Sequence, residues 1–253
     1  MLDLGTQFSK AGYAGEDTPK AVFHTSVGSI YSDDMSMDVD VTQHSEGAAS
    51  TTLNASAAAA ASSSSGSLAA STTRGGNNKQ YFVGRSQLYR RDHMQISQPL
   101  QHGLVRDWDA VEAVWSYALW QHLKVDAREH PIMLSEPTFQ PAADREKMLQ
   151  LMFEQFETPA AFLCKSSVLT AFSAGRSTAC VVESGAGHST VAPIHDGYVV
   201  TKGVRRTHMA GAALDDVLEK VLTQEGDKRI NITPAVRQQQ QQQTARQSVN
   251  AEI

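Results

Sequence analysis

The chain has 253 residues (27.4 kDa), with 22 Lys and Arg against 27 Asp and Glu, a formal net charge of −5 and a sequence pI near 6.0. That balance excludes a broad electrostatic grip on nucleic acid, which needs clustered Lys and Arg. Hydrophobic residues make up 41% and charged residues only 19%, with a mean hydropathy of −0.33, so uncharged polar residues must be concentrated somewhere; they fall in Ser/Ala/Thr and Gln tracts.

Residues 1–31 alternate small apolar side chains with Gly5, Gly12, Gly15 and Gly28, a pattern of short strands joined by tight turns. From 32 to 80 the composition changes to an acidic start (33–40), then poly-Ala, poly-Ser and Gly-Asn runs with almost nothing to bury. It reads as a solvated, disordered insertion. Order resumes over 81–176. After Asp107-Trp108-Asp109, the residues Val111, Val114, Trp115, Ala118, Leu119 and His122 recur at helical spacing, with Asp109 placed to cap. Pro131-Ile132-Met133-Leu134 reads as a strand. Asp144-Arg145-Glu146 opens a second helix with one apolar face (Met148, Leu151, Met152, Phe156), closed by Thr158-Pro159. Phe162-Leu163-Cys164 is another strand, followed by a helix to about Ala174 with Gly175 as its left-handed cap. The stretch 177–226 reads as a β-meander and then an amphipathic helix carrying Ala213, Leu214, Val217, Leu218, Val221 and Leu222. A Gln-rich polar tail occupies 227–253. Strands mixed with helices, hairpins included, predict an α/β sheet with antiparallel members.

Cys164 and Cys180 lie in apolar runs and read as small reduced core residues. No basic or apolar leader opens the chain, and no run approaches the roughly 18 apolar residues of a membrane span, so a soluble intracellular protein is expected. The nine histidines show no paired ligand spacing, which argues against a metal site built from protein ligands. Helical packing accounts for Trp115, while Trp120 is expected to be partly exposed.

Two segments carry chemistry. A strand ending in Asp3-Leu4-Gly5-Thr6-Gln7 can aim backbone N–H groups and a hydroxyl at a phosphate, with the Asp3 carboxylate holding a hydrated Mg²⁺ through water. The second is Glu183-Ser184-Gly185-Ala186-Gly187-His188, again an acidic residue, a small one and glycine in a turn between strands. Either turn alone also fits an ordinary hairpin. Together they can clamp a polyphosphate from two sides.

These segments resemble those of actin and the actin-related proteins. The likeness runs through Asp3-Leu4-Gly5-Thr6, Lys10-Ala11-Gly12-Tyr13-Ala14-Gly15-Glu16-Asp17, His102-Gly103-Leu104-Val105, Gly175-Arg176-Ser177-Thr178, Glu183-Ser184-Gly185 and Asp196-Gly197-Tyr198. Within the family, Leu134-Ser135-Glu136-Pro137, Phe162-Leu163-Cys164-Lys165 and His195-Asp196-Gly197-Tyr198-Val199 are most similar to the nuclear, actin-related protein 4 class, as is the long insertion. The resemblance implies an actin-like (ribonuclease H-like) α/β fold holding the first large subdomain, its small subdomain and the start of the second half. The likeness is expected to stop soon after Met209-Ala210-Gly211, leaving a truncated form without the base-binding half. It also implies ATP with Mg²⁺ as a structural ligand, with Lys10 at the phosphate. In the class it resembles, the partners are the scaffold helix of a chromatin-remodelling ATPase, nuclear actin and other subunits of remodelling and histone-acetyltransferase complexes. The location implied is the nucleus, with some protein in the cytoplasm, and no membrane or sequence-specific nucleic acid is engaged. Phe172, Ser173, Gly175, Ser177, Asp196 and Tyr198 match positions of the family's partner groove.

Departures from the family pattern bear on catalysis. Glu183 and Ala186 stand where the family has aspartates, Ser166 and Thr190 where it has the glutamine and histidine that position water, and Gln7 where it has a glycine. Without oriented water, hydrolysis loses its positioning groups, so no meaningful ATPase is expected. The rival readings are a polymerising actin-like ATPase and a truncated product without a function of its own.

Overall fold

The first residues of the chain enter the core at once, because Leu2, Ala11, Ala21 and Phe23 all turn the same way from neighbouring strands. In the computed structural model the described residues are 1–31, 79–84, 88 and 94–224. The expected disordered insertion (all but its last two residues), the acidic stretch at 33–40 and the Gln-rich tail lie outside them. Lys79 and Gln80, assigned from composition to the insertion, are paired strand residues.

In chain order the strands and helices are β1 (Leu2–Leu4), β2 (Phe8–Ala11), β3 (Ala21–His24), β4 (Val27–Tyr31), β5 (Lys79–Val83), β6 (Gln95–Ser97), β7 (Leu100–Gln101), β8 (Leu104–Val105), α1 (Trp108–Ser116), β9 (Ile132–Glu136), α2 (Ala142–Gln150), β10 (Ala161–Lys165), α3 (Ser166–Ser173), β11 (Ala179–Ser184), β12 (Ser189–His195), β13 (Tyr198–Val199), β14 (Arg205–Thr207) and α4 (Gly211–Gln224). The main sheet has the order β10-β9-β1-β2-β3. Its β10, β9 and β1 are parallel, and β1, β2 and β3 antiparallel. A second sheet pairs β11 with one edge of β12, while β13 and β14 share the other edge. Strands β5-β4-β6 make a third sheet, and β7-β8 form a separate hairpin. The expected α/β class with antiparallel members is what the chain adopts.

Helix α1 packs Ala110, Val111, Val114 and Trp115 against Leu2, Phe23, Leu134 and Met152, all buried. Each such fully buried branched side chain contributes roughly 1.5–3 kcal/mol of transfer free energy. The winding widens to π-type over Tyr117–Leu123 and ends at Lys124 in the left-handed region. The cap differs from expectation. Asp107, not Asp109, has extended backbone and accepts the Ala110 N–H at 3.0 Å, while Asp109 sits inside the first turn, where its charge favours the helix dipole. Likewise α2 starts at Ala142 after Pro141, two residues before the expected Asp144, because proline's fixed φ suits a helix entrance. Its Met148, Leu151, Met152 and Phe156 face is buried as predicted, and Thr158 closes it through N–H and Oγ1 bonds to the Met152 carbonyl. Gly175, at φ 68°, ends α3 as expected: its N–H reaches the Phe172 carbonyl at 2.9 Å and the Arg176 N–H that of Ala171 at 3.0 Å.

Three expectations fail on burial or placement. Gly28 lies inside β4 beside Met94 instead of in a turn. His122 is exposed, stacked edge-outward on Phe23 at 5.2 Å. Cys180 is exposed because strand alternation turns it to the open face of the second sheet, opposite Val181; only Cys164 is partly buried, and burial pushes its thiol up. The expected amphipathic helix is present as α4, and its apolar face is bare, with Leu214, Val217, Leu218 and Val221 exposed. No helix among the described residues is long and apolar enough to cross a membrane.

Glu136 at the end of β9 is only 1% exposed and carries Arg145 Nε at 2.8 Å and Lys165 Nζ at 3.4 Å, tying β9, α2 and β10 together. Replacing both cations (Arg145→Met with Lys165→Met) strands the carboxylate. The expected cost is about 3–5 kcal/mol, read as a lower urea midpoint, and adding Glu136→Met recovers most of it.

Candidate functional site

Strand register builds the first wall of the site. Asp3 stands opposite Lys10 across the β1–β2 pair, and Lys10 Nζ lies 3.5 Å from Asp3 Oδ2. The other Asp3 oxygen accepts the Ser135 hydroxyl, which reaches over from β9, the parallel neighbour of β1. The carboxylate is thus oriented from both sides of its own strand.

The second wall comes from the other sheet. Glu183 near the end of β11 accepts Ser166 Oγ on one carboxylate oxygen and Thr170 Oγ1 on the other, each at 2.9 Å. Both hydroxyls lie on α3, one turn apart, so they face the same way. Between the walls is a cavity of about 390 Å³ whose lining includes Asp3, Lys10, Glu16, Asp17, Ser135, Ser166, Thr170 and Glu183. Four carboxylates and one ammonium therefore face it, together with the hydroxyls of Ser135, Ser166 and Thr170, from sequence positions as far apart as 3 and 183.

The glycine turns lie elsewhere. Gly5, Thr6, Gln7, Ser184, Gly185, Ala186, Gly187 and His188 do not line that cavity. They form the tips of the two hairpins, and the tips touch: a Cβ added to Gly187 would fall 2.6 Å from Thr6 Oγ1, so only glycine allows the approach. Thr25, fully buried, holds the first tip by donating Oγ1 to the Gly5 carbonyl (2.7 Å) and its N–H to that of Gln7 (2.9 Å). The second tip receives the start of α4, whose Gly211 and Ala212 N–H groups bond the carbonyls of Gly185 and Ala186 at 3.0 and 2.9 Å. That helix end is therefore spent on the protein itself.

The six groove candidates do gather. Phe172 and Ser173 end α3, Gly175 and Ser177 follow, and Asp196 and Tyr198 flank the turn between β12 and β13. The Gly197 N–H donates to the Ser177 carbonyl at 2.7 Å, and the Phe172 ring lies against Gly197. All six are exposed, Tyr198 at 79%, so Phe172 and Tyr198 are surface aromatics and not core.

Sequence reading missed Ser135, Thr170, Thr25 and a cluster against the tips formed by His102, Phe139, Arg206 and His208. Serines and threonines carry no motif, and the cluster joins segments about 100 residues apart. Of the two positions where the resemblance expects water-positioning groups, Ser166 is bonded to Glu183. Thr190 is buried with no partner for Oγ1 among the described residues. No group of three or more metal-ligating side chains occurs among the described residues.

Residues 1–252 match the family model described as Actin, so similarity continues past residue 211, where the sequence reading ended it. The chain is similar to "Actin-related protein 4" of Arabidopsis thaliana (46% identical over 228 residues, 90% of this chain and 48% of the relative). It is also similar to proteins of that name from Oryza sativa subsp. indica (39% over 226 residues, 89% and 48%) and Yarrowia lipolytica (35% over 234 residues, 92% and 46%). The chain spans about half the length of these curated relatives.

The unpartnered Thr190 hydroxyl sets an expectation. Thr190→Val keeps the shape and removes a buried polar atom, so stability should stay level or rise by up to about 1 kcal/mol in a urea titration.

Proposed function

The chain belongs to the actin family, in a partial actin fold resembling actin-related protein 4, and from that premise we propose that it is a non-catalytic nuclear actin-related subunit that holds ATP with Mg²⁺ as a structural ligand and helps assemble chromatin-remodelling and histone-acetyltransferase complexes. The observation that carries this reading is the meeting of Asp3 and Lys10 with Glu183 across one cavity, with the Glu183 carboxylate already satisfied by Ser166 and Thr170.

The donor set suits a phosphate–cation pair. Lys10 supplies a flexible ammonium, and Asp3, fixed by Ser135, supplies a carboxylate that can hold a hydrated cation through water. Direct protein ligation of the metal is not part of the reading. Bound there, Mg²⁺ would neutralise phosphate charge.

Hydrolysis needs a side chain that orients the attacking water at the phosphoryl group. Ser166, the residue nearest that role, spends its hydroxyl proton on Glu183, and Thr190 is buried in β12. Nucleotide would therefore act by bridging the two walls, which come from separate sheets. Stabilisation by a ligand that binds only the folded state follows RT ln(1 + [L]/Kd), about 2.7 kcal/mol at a hundredfold excess over Kd.

Partner engagement is assigned to the exposed patch of Phe172, Ser173, Gly175, Ser177, Asp196 and Tyr198. Two bare aromatics beside a tight turn suit the apolar face of a helix, here the scaffold helix of a remodelling ATPase. Nuclear actin and further subunits complete the proposed assembly, with the nucleus as the working location.

Two measurements on the 253-residue chain test the reading. Binding of a fluorescent ATP analogue with Mg²⁺ should be seen and should weaken about tenfold or more in Lys10→Ala and Asp3→Ala, a loss of about 1.4 kcal/mol or more. Phosphate release should stay at background. Mg²⁺-dependent turnover that disappears in Asp3→Ala would show an active ATPase and overturn the proposal.

A further inference from the structure

Against the hairpin tips lies a cluster with an unusual charge make-up. The β7–β8 turn brings His102 and Gly103, the loop after β9 brings Phe139, the second tip brings His188, and β14 with the residue after it brings Arg206 and His208. The His188 ring meets Phe139 in a T-shaped contact (centroids 4.9 Å apart, rings perpendicular), and lies so close to Gly103 that a Cβ there would fall 2.4 Å from it. The Arg206 guanidinium lies over the Phe139 ring at 3.7 Å from its centroid and donates Nη2 to the His102 carbonyl at 2.7 Å. The His102 ring lies 4.3 Å from that of His208, and its Nδ1 is 3.4 Å from the Gly187 carbonyl.

Gly187 is therefore gripped from two sides, by Thr6 of the first tip and by His102 of the β7–β8 turn. His102 is held at φ 52°, a conformation that costs a non-glycine residue and persists only while its neighbours fix it. Among the described residues, the charged groups that act on His188 from the packed elements are Arg206, His208 and His102, with no carboxylate among them. Its Nδ1 is buried with no hydrogen-bond partner among the described residues.

We propose that this cluster is a proton-sensitive joint between the β7–β8 turn and the second hairpin, with His188 as the group whose protonation parts them. At neutral pH the ring is uncharged, packs on Phe139 and Gly103, and tolerates Arg206 nearby. A proton on His188 would place a cation in a half-buried site already facing one permanent and two titratable positive groups. Among the described residues no carboxylate acts on His188 in answer, so the relief is for the turn to lift away, releasing His102 from its held backbone.

Burial and the neighbouring cations lower the His188 pKa below the ordinary value of 6.5. The open or unfolded form then binds a proton more readily than the closed one. The joint's stability is fully present above about pH 6.5 and is lost as pH falls through and below that value towards the depressed one. The inference does not depend on nucleotide, so its failure would leave the proposed ligand untouched.

Amide hydrogen exchange of the whole chain, corrected for the intrinsic pH dependence of exchange, tests it between about pH 7.5 and 5.5. Protection of peptides covering 100–105 and 186–191 should fall at least about threefold on acidification, while β9 and β10 hold steady. In His188→Phe, which keeps an aromatic ring and cannot be protonated, the fall should vanish. Equal protection across the range in the parent chain, or an undiminished fall in the variant, overturns the proposal. Should His188→Phe fail to fold, the imidazole titration of the parent protein decides by NMR: a His188 midpoint below that of exposed His130 supports the joint, and one at or above it refutes it.

Discussion

Strand β1 has a parallel neighbour on one edge and an antiparallel neighbour on the other, and the site depends on that placement. The parallel side, β9, supplies Ser135 to Asp3; the antiparallel side, β2, supplies Lys10. A slip of one residue would turn Asp3 into the core face and Leu2 out of it, since strand side chains alternate. Burial of Leu2, Ala11 and Leu134 makes that slip costly, so the same apolar contacts that hold the sheet also aim the carboxylate. The buried Glu136 network fixes the far end of β9 against α2 and β10, which keeps Ser135, one residue earlier, in place.

Much of this arrangement could be read before any coordinates. The helical stripe through Val111, Val114 and Trp115, the Met148–Met152 face and the Gly175 cap rest on local periodicity or local backbone needs, and local signals survive into the fold. Asp3 and Glu183 stand out because acidic residues next to glycine turns are chemically conspicuous. What stayed hidden was contextual. Whether Asp107 or Asp109 caps a helix depends on one residue's backbone angle. The exposure of Cys180 depends on which face of a sheet is covered, and the partners Ser135, Thr170 and Thr25 are defined only by distance in three dimensions. Residues 79 and 80 joined a strand because Tyr31 and Ile30 were waiting to pair, a tertiary fact that composition cannot carry.

The division between cavity and tips was not foreseen. Sequence reasoning grouped the acidic residues and their glycine turns as one phosphate cradle. The structure instead puts Asp3, Lys10 and Glu183 in an open cavity and packs the turns against each other through Thr6 and Gly187, with the second turn's carbonyls taken by α4. Charge and backbone donors, which act together at a phosphate site, are here a few residues apart along each strand.

The uncovered strip on α4 has a consequence for handling the molecule. Leu214 and Val221 lie seven residues apart, roughly 10 Å along a helix axis at about 1.5 Å per residue. The exposed side of the second sheet adds Val182 and Val191. Salts such as ammonium sulfate are excluded from protein surfaces and strengthen apolar association. This chain should accordingly be retained on a hydrophobic-interaction matrix at modest salt and salt out early, in spite of its net negative charge.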